Sequence, residues 1–258
     1  MSTVLYPSPV FGPVVSRRLG ISLGVNLLPA DGKLCNFDCI YCECGLNEER
    51  RPASRMPSKE LVLSTLEDKL KQMHAEDRLP NTITFAGNGE PTLHPDFADI
   101  IDQTIALRNH YAPECKISVL TNATHLNRDH VFAALEKVDN PLLKLDTVNS
   151  DYIHSIDRPT SKYDLADLIS RMKRLGKRAI IQTMFMKGTW DGRDISNVSD
   201  AYVTPWLEAV KAIGPKLVTI YTIARETPRD TLKKATREEL DAIADRIRAA
   251  GLEVSVSY

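Results

Sequence analysis

Four cysteines, Cys35, Cys39, Cys42 and Cys44, fall close together, and a fifth, Cys115, stands alone. An odd count with tight clustering speaks for a metal or redox site in a reducing compartment rather than a disulfide framework. Cys35-Asn-Phe-Asp-Cys39-Ile-Tyr-Cys42 places three thiolates in one short loop, a soft donor set that suits zinc or iron–sulfur. Structural zinc takes four protein ligands, usually from C-x2-C pairs. Here the spacing is C-x3-C-x2-C, with no matching pair downstream. Three ligands on a four-iron four-sulfur cluster would leave one iron open to a small molecule, and an anionic, partly buried thiolate cluster can reach low potentials. Two readings follow. One is an enzyme that works through the open iron. The alternative is a non-enzymatic zinc- or iron–sulfur-binding module for regulation or assembly, with zinc on Cys35, Cys39, Cys42 and Cys44. Outside the zinc reading, Cys44 is a packed or partly exposed thiol, and Cys115 a core thiol.

Further along, Thr82-Ile-Thr-Phe-Ala86 runs directly into Gly87-Asn-Gly-Glu-Pro91. Glycine allows close backbone approach and positive φ at a strand end, and proline stops the sheet. The cysteine loop, an aromatic residue before its third cysteine, and this glycine loop one strand later together resemble the signature of the radical S-adenosylmethionine (radical SAM) superfamily. The resemblance implies a 4Fe-4S cluster on Cys35, Cys39 and Cys42 whose open iron chelates S-adenosylmethionine. Reductive cleavage would give a 5′-deoxyadenosyl radical that abstracts hydrogen from a substrate. It places Tyr41 beside the adenine, and Gly87, Gly89 and Glu90 at the cofactor's amino group. Asn88 departs from the family's Gly-Gly-Glu-Pro, giving a Gly-x-Gly-Glu-Pro form also seen in radical SAM methylases of ribosomal RNA.

Later strands carry looser parallels. Leu120-Thr-Asn-Ala123 is similar to the Thr-Asn-Gly of glycyl-radical activating enzymes, which implies that Thr121 and Asn122 face the barrel mouth. Lys144 and Asp146 stand two apart and share one face of a strand. The family uses a basic residue hereabouts for the cofactor carboxylate and polar ones for the ribose; a Lys–Asp salt bridge lining the barrel is the other reading. By position alone, Gln182, Thr183, Met184, Tyr221, Thr222 and Arg225 are candidates for the pocket floor. The segments Phe11-Gly-Pro-Val-Val-Ser-Arg-Arg-Leu-Gly20 and Ser22-Leu-Gly-Val-Asn-Leu-Leu-Pro29 resemble the leader of a radical SAM group described as iron–sulfur oxidoreductases, loosely akin to the wybutosine-synthesis enzyme. Partners implied are an electron donor such as flavodoxin or ferredoxin, and a substrate that is a peptide or protein, a nucleoside or tRNA, or a small metabolite.

These residues need a scaffold, and the pattern supplies one. Ile21–Leu28 reads as a first strand, and Leu61–Met73 as a first helix with Ser58 as N-cap. From Thr82 onward, β-rich runs (Thr82–Ala86, Lys116–Thr121, Leu142–Asp146, Ala179–Phe185, Lys216–Ile223, Leu252–Ser257) alternate with helix-period stretches near Asp96–Leu107, Asp129–Glu136, Tyr163–Leu175, Ser199–Ala212 and Arg237–Ala250. Thr236 with Glu239 reads as a capping box, and Gly176 and Gly251 close their helices. Strand then helix, six times over, implies parallel strands with right-handed crossovers. Six units fall short of the eight that close a barrel. The expected fold is α/β, a partial (β/α)6 barrel of the open TIM-like kind, in a single domain over 1–258 with 1–20 as an extended N-terminal arm.

The chain has 258 residues, 43% of them hydrophobic and 26% charged, as in an ordinary soluble globular protein. Thirty-three Lys and Arg against 34 Asp and Glu give a formal charge of −1, which argues against a large RNA partner. No apolar run approaches the length of a membrane span, and the start lacks the features of a secretory signal, so a cytoplasmic chain with no membrane partner is expected. No second cysteine cluster follows Cys115, which argues against auxiliary clusters. Arg17 and Arg18 are candidates for an anionic substrate, against facing solvent or pairing with carboxylates, and Arg50, Arg51 and Arg55 for phosphate or a reductant's acidic face, against a solvated loop. His94 is the one histidine near the expected site, and Trp190-Asp-Gly-Arg-Asp194 reads as a polar loop that could cover the open barrel.

Overall fold

A computed structural model of the chain describes residues 3–16, 19–225 and 227–258. In chain order the elements are β1 (Val10–Ser16), β2 (Gly20–Val25), α1 (Lys59–Ala75), β3 (Thr82–Phe85), α2 (Phe97–Tyr111), β4 (Lys116–Thr121), α3 (Asp129–Lys137), β5 (Asn140–Lys144), α4 (Ser150–Tyr152), α5 (Leu165–Leu175), β6 (Ile180–Met184), β7 (Met186–Trp190), β8 (Arg193–Asp194), α6 (Asp200–Ile213), β9 (Leu217–Tyr221), β10 (Leu232–Lys234), α7 (Arg237–Ala249) and β11 (Val254–Ser257). Eight strands form one curled sheet in the order β1-β2-β3-β4-β5-β6-β9-β11. Every neighbouring pair in it is parallel except β1–β2. This is the half-barrel the strand–helix alternation predicts, with six crossovers between β2 and β11.

The two faces of the sheet differ in chemistry, which fixes what the barrel can hold. Toward the helices point Leu23, Val25, Ile83, Phe85, Ile117 and Val119, which join the main core with Leu66, Phe97, Trp206 and Ile243. The alternate positions carry small hydroxyls that bond one another across strands. Ser22 donates to Thr84 at 2.8 Å, and Thr82 and Ser118 share a bond of 2.9 Å. Period-two alternation sends apolar side chains outward and small polar ones inward, leaving room inside the curl.

Local signals set the helix ends. Ser58 accepts from Leu61 N–H at the start of α1, and the Thr236–Glu239 capping box opens α7. Gly176 and Gly251, at φ +48 and +78, take the left-handed turns that stop α5 and α7.

Two expectations need correction. The segment 1–20 is not an arm throughout, because Val10–Ser16 forms β1, antiparallel to β2. Its register shifts between Phe11 and Val14, so that Gly12-Pro13 bulges where proline has no N–H to give the ladder. Arg17 and Arg18 lie outside the described residues. Trp190–Asp194 is not a covering loop but part of a hairpin, β7–β8, extended by β10 into a three-stranded sheet. Asp191 and Gly192, both at positive φ, make the tight turn that β-hairpins favour. No helix among the described residues is long and apolar enough to cross a membrane.

Candidate active site

The cysteine loop follows β2 and lies across the end of the sheet, stitched to the glycine loop that follows β3. Leu34 N–H donates to Asn88 O at 2.9 Å, and Glu90 N–H donates to Leu34 O at 3.1 Å. The close approach depends on Gly89, which sits at φ +137; a Cβ there would stand 1.9 Å from the Leu34 carbonyl oxygen. Glycine is required at this point because the backbones touch.

Glu90 is fully buried, and its carboxylate is saturated from within the chain. Oε1 accepts from Thr92 N–H, Thr92 Oγ1 and Thr121 Oγ1 at 3.0, 2.6 and 2.7 Å, while Oε2 accepts from Asn122 N–H at 2.7 Å. Burial pushes its pKa up against these four bonds. The glutamate thereby locks the end of β4 to the glycine loop, and Asn122 reaches back to the cysteine loop. Its Nδ2 donates to Asn36 Oδ1 at 2.7 Å and lies 3.8 Å from Cys35 Sγ.

The three candidate ligands sit in one electrostatic environment. Burial pushes Cys35 up to about 12 and Cys39 well above its ordinary value. Cys42 is pulled down to about 6, by the Cys44 thiol that bonds it and then by the Lys33 ammonium. Lys33 is itself buried, at 3% exposure, and donates to Gly45 O at 2.8 Å. Burial opposes its charge, but the three cysteines and Asp38 outweigh that and raise its pKa. Three cysteine sulfurs with a buried cation beside them, and the Phe37 N–H 3.4 Å from Cys35 Sγ, are a donor set that fits an anionic iron–sulfur cluster. Among the described residues, no three Cys, His or carboxylate side chains converge on a point that a single metal ion could fill.

Behind the loop, Lys144 Nζ bonds Asp146 Oδ2 and the Tyr41 hydroxyl and reaches Asp157 Oδ1 at 2.9 Å. The Tyr41 hydroxyl also donates to Asp146, whose Oδ1 accepts Met184 N–H at 2.9 Å. All four groups are nearly buried. Burial opposes the Lys144 charge, yet Asp146 and Asp157 raise its pKa well above the ordinary value. Burial lifts Asp157 to about 6, Lys144 notwithstanding, because two carboxylates share one ammonium. The salt bridge that sequence spacing allowed is thus formed, and it ties the Cys39–Cys42 turn to β5.

A cavity of about 610 Å³ opens at this end of the sheet, in the size range of small-molecule sites. Tyr41, Cys42 and Cys44 form one wall, Ser22 and Thr84 the inner sheet face, and Met184 and Tyr221 the far side. Cys44 is packed at 4% exposure, with Sγ 3.4 Å from Gly87 O. Of the candidates for the pocket floor, Met184, Tyr221 and Arg225 line the cavity. Thr183 instead donates to Leu145 O at 2.8 Å, Gln182 donates to Leu142 O at 3.3 Å, and Thr222 accepts from Ala235 N–H at 2.8 Å. His94 is also structural: its Nε2 bonds Pro57 O at 2.9 Å and its Nδ1 accepts from Asp96 N–H. Cys115 is a core thiol at 3% exposure. Arg51 and Arg55 are exposed, and Arg50 bonds Thr3. Two contributors were not singled out from sequence, Lys33 and Asp157. Lys33 is close enough in the chain to the cysteines to have been noticed; Asp157 ends an irregular π-helical turn, Ile153–Asp157, that has no sequence signature.

The family model for the radical SAM superfamily matches residues 31–195. A protein of Brachyspira hyodysenteriae named GTPase Obg is 29% identical over 234 residues, covering 90% of this chain and 32% of that protein. A UPF0026 protein of Helicobacter pylori is 31% identical over 192 residues, covering 72% of this chain and 58% of that one. The chain therefore spans roughly one-third to three-fifths of these relatives' lengths. Among solved structures, a radical SAM methyltransferase from Sphaerobacter thermophilus superposes with a TM-score of 0.68 at 16% identity, covering 92% of this chain and 66% of that chain, a likeness of fold.

Proposed function

Because the chain belongs to the radical SAM superfamily, we propose that it is an enzyme whose Cys35, Cys39 and Cys42 hold a four-iron four-sulfur cluster. Held by these residues, such a cluster would supply the one electron needed to cleave S-adenosylmethionine into methionine and a 5′-deoxyadenosyl radical able to take hydrogen from a substrate in the cavity. The observation that carries this reading is the joining of the cysteine loop to the glycine loop through Gly89 and Leu34, at the mouth of a half-barrel with a cavity beside it.

The chain's own residues account for the rest. Lys33 offsets the negative charge of the thiolates from a buried position, and Asn122 steadies the Cys35 end of the loop. Gly87 lines the cavity and, with Gly89 just beyond it in the loop, would offer backbone to the methionine amino group, while Glu90 acts through Thr121 and Asn122 by holding them in place. Lys144 and Asp146 fix Tyr41, so that the tyrosine ring forms a rigid wall for the adenosyl moiety. Small hydroxyls on the inner sheet face keep the chamber wide. An electron donor of the flavodoxin or ferredoxin kind would deliver the reducing electron, and the substrate would enter through the open side of the half-barrel.

Anaerobic reconstitution followed by metal and sulfide analysis tests the assignment. About four irons with matching acid-labile sulfide per chain, and 5′-deoxyadenosine on reduction with S-adenosylmethionine, are expected. One zinc without sulfide would overturn it in favour of a non-enzymatic metal module.

A further inference from the structure

The cavity has one charged patch, and it sits at the mouth. Of the described residues that line the cavity, only Glu43 and Arg225 are charged. Arg225 Nη1 donates to Glu43 Oε2 at 2.6 Å and also meets the Tyr6 hydroxyl, which lies 3.4 Å from the same Glu43 oxygen. Two donors thus converge on one carboxylate oxygen. The ion pair is half exposed, 54% for Arg225 and 38% for Glu43, so it adds little to stability and exchanges readily.

Holding Tyr6 there takes far more structure than a surface ion pair warrants. Asn88 accepts Tyr6 N–H at 2.8 Å and donates to Tyr6 O at 2.9 Å, gripping both backbone groups. Asn26 Nδ2 adds a bond to Tyr6 O at 3.2 Å. Both asparagines are fully buried, and Val4 N–H donates to Glu43 O at 2.9 Å in the same region. The Tyr6 ring lies on Phe11, centroids 4.7 Å apart, which gives the mouth an aromatic side. Asn88 is the residue that departs from Gly-Gly-Glu-Pro, and this clamp is what its side chain does.

We propose that Tyr6 and Arg225 form an anion subsite at the cavity mouth, occupied in this structure by the Glu43 carboxylate, which a carboxylate or phosphate of the substrate displaces. Arginine with a phenolic donor suits either anion, and Phe11 provides an apolar surface next to it. The assignment of this anion to substrate rests on reading the cavity as the radical SAM reaction chamber; the subsite itself does not. Asn88 is a positioning residue that acts through Tyr6.

The test uses this chain, anaerobically reconstituted, and two probes, phenyl phosphate and benzoate, with equilibrium dialysis of each and of S-adenosylmethionine. Arg225→Gln should weaken probe binding by about tenfold and Tyr6→Phe by about threefold, as loss of a charged and a neutral hydrogen bond predicts. Glu43→Gln should strengthen it about fivefold, because the internal competitor has lost its charge. Affinity for S-adenosylmethionine, iron content and circular dichroism should match wild type in Tyr6→Phe and Arg225→Gln. Unchanged probe binding in Arg225→Gln, or weaker binding in Glu43→Gln with iron content intact, overturns the subsite and leaves a clasp between arm and loop. A parallel tenfold loss of S-adenosylmethionine affinity in Arg225→Gln overturns the substrate assignment, the anion then being the methionine carboxylate. Probe binding that depends on Arg225 in protein unable to cleave S-adenosylmethionine would separate this subsite from the proposed reaction.

Discussion

The α-carbon of Gly89 faces the carbonyl oxygen of Leu34 so closely that no side chain fits between them. That contact is where the cysteine loop and the glycine loop become one structure, since each loop's backbone completes the other's hydrogen bonds. Gly89→Ala would have to separate them, and φ +137 adds strain for any L side chain. Destabilisation of about 3 kcal/mol or more is expected, together with clearly reduced iron and sulfide after anaerobic reconstitution. Denaturant unfolding and metal analysis check both; an alanine variant that holds wild-type iron would show that the loops assemble independently.

The cysteines should separate by role. Cys39→Ala removes a proposed ligand from the middle of the loop and should abolish cluster assembly, measured as iron and acid-labile sulfide. Cys44→Ala and Cys115→Ala remove packed thiols and should leave it largely intact. Equal loss in Cys39→Ala and Cys44→Ala contradicts the ligand assignment.

The buried quartet predicts a pH dependence. Asp157 titrates at about 6 in the folded chain, against about 4 for an unperturbed carboxyl. A raised pKa means that the folded state holds the proton more tightly, so this contribution to stability is complete below pH 4 and lost as pH climbs through 6. Its size is about 3 kcal/mol. Asp157→Asn should therefore gain on wild type as pH rises from 4 to 8 in urea-unfolding series. Asp146→Asn should instead lose about 3 kcal/mol at pH 8: its amide oxygen can still accept Met184 N–H, but an NH2 then replaces the carboxylate oxygen that Lys144 and the Tyr41 hydroxyl both bond. Parallel pH curves for wild type and Asp157→Asn would rule out the shared-ammonium account.

Asn88→Gly restores the glycine more usual at this position and tests what the asparagine does. It deletes the partner of Tyr6 N–H and of the Tyr6 and Pro29 carbonyls, at a cost of about 3 kcal/mol. Limited proteolysis should then cut ahead of β1 much faster than in wild type, while helix content by circular dichroism stays the same. Unaltered proteolysis would mean that Asn26 alone secures the segment.

The sequence told most about elements whose signals are local. Lys116–Thr121 was read to the residue, and Ser58, Thr236 and Gly176 mark helix ends because capping is decided by neighbours a few residues away. The cysteine and glycine loops were legible because their chemistry needs fixed spacing. β1 was not, since Gly12-Pro13 reads as a break and only pairing with β2 shows it to be a bulge. Asp157 and Tyr6 were missed for a related reason: each gains its role from partners far away in the chain, Lys144 in one case and Asn88 in the other. Thr183 and Thr222 erred the opposite way, sharing a strand end with real lining residues while pointing elsewhere.

The part of the cavity wall built from Ser22 and Thr84 has one more implication. Both side chains are small and stand on the strands rather than in the cysteine loop, so a bulkier residue at either position would narrow the chamber without touching the proposed ligands. A family assembled this way can diversify what it acts on by furnishing a shared room differently.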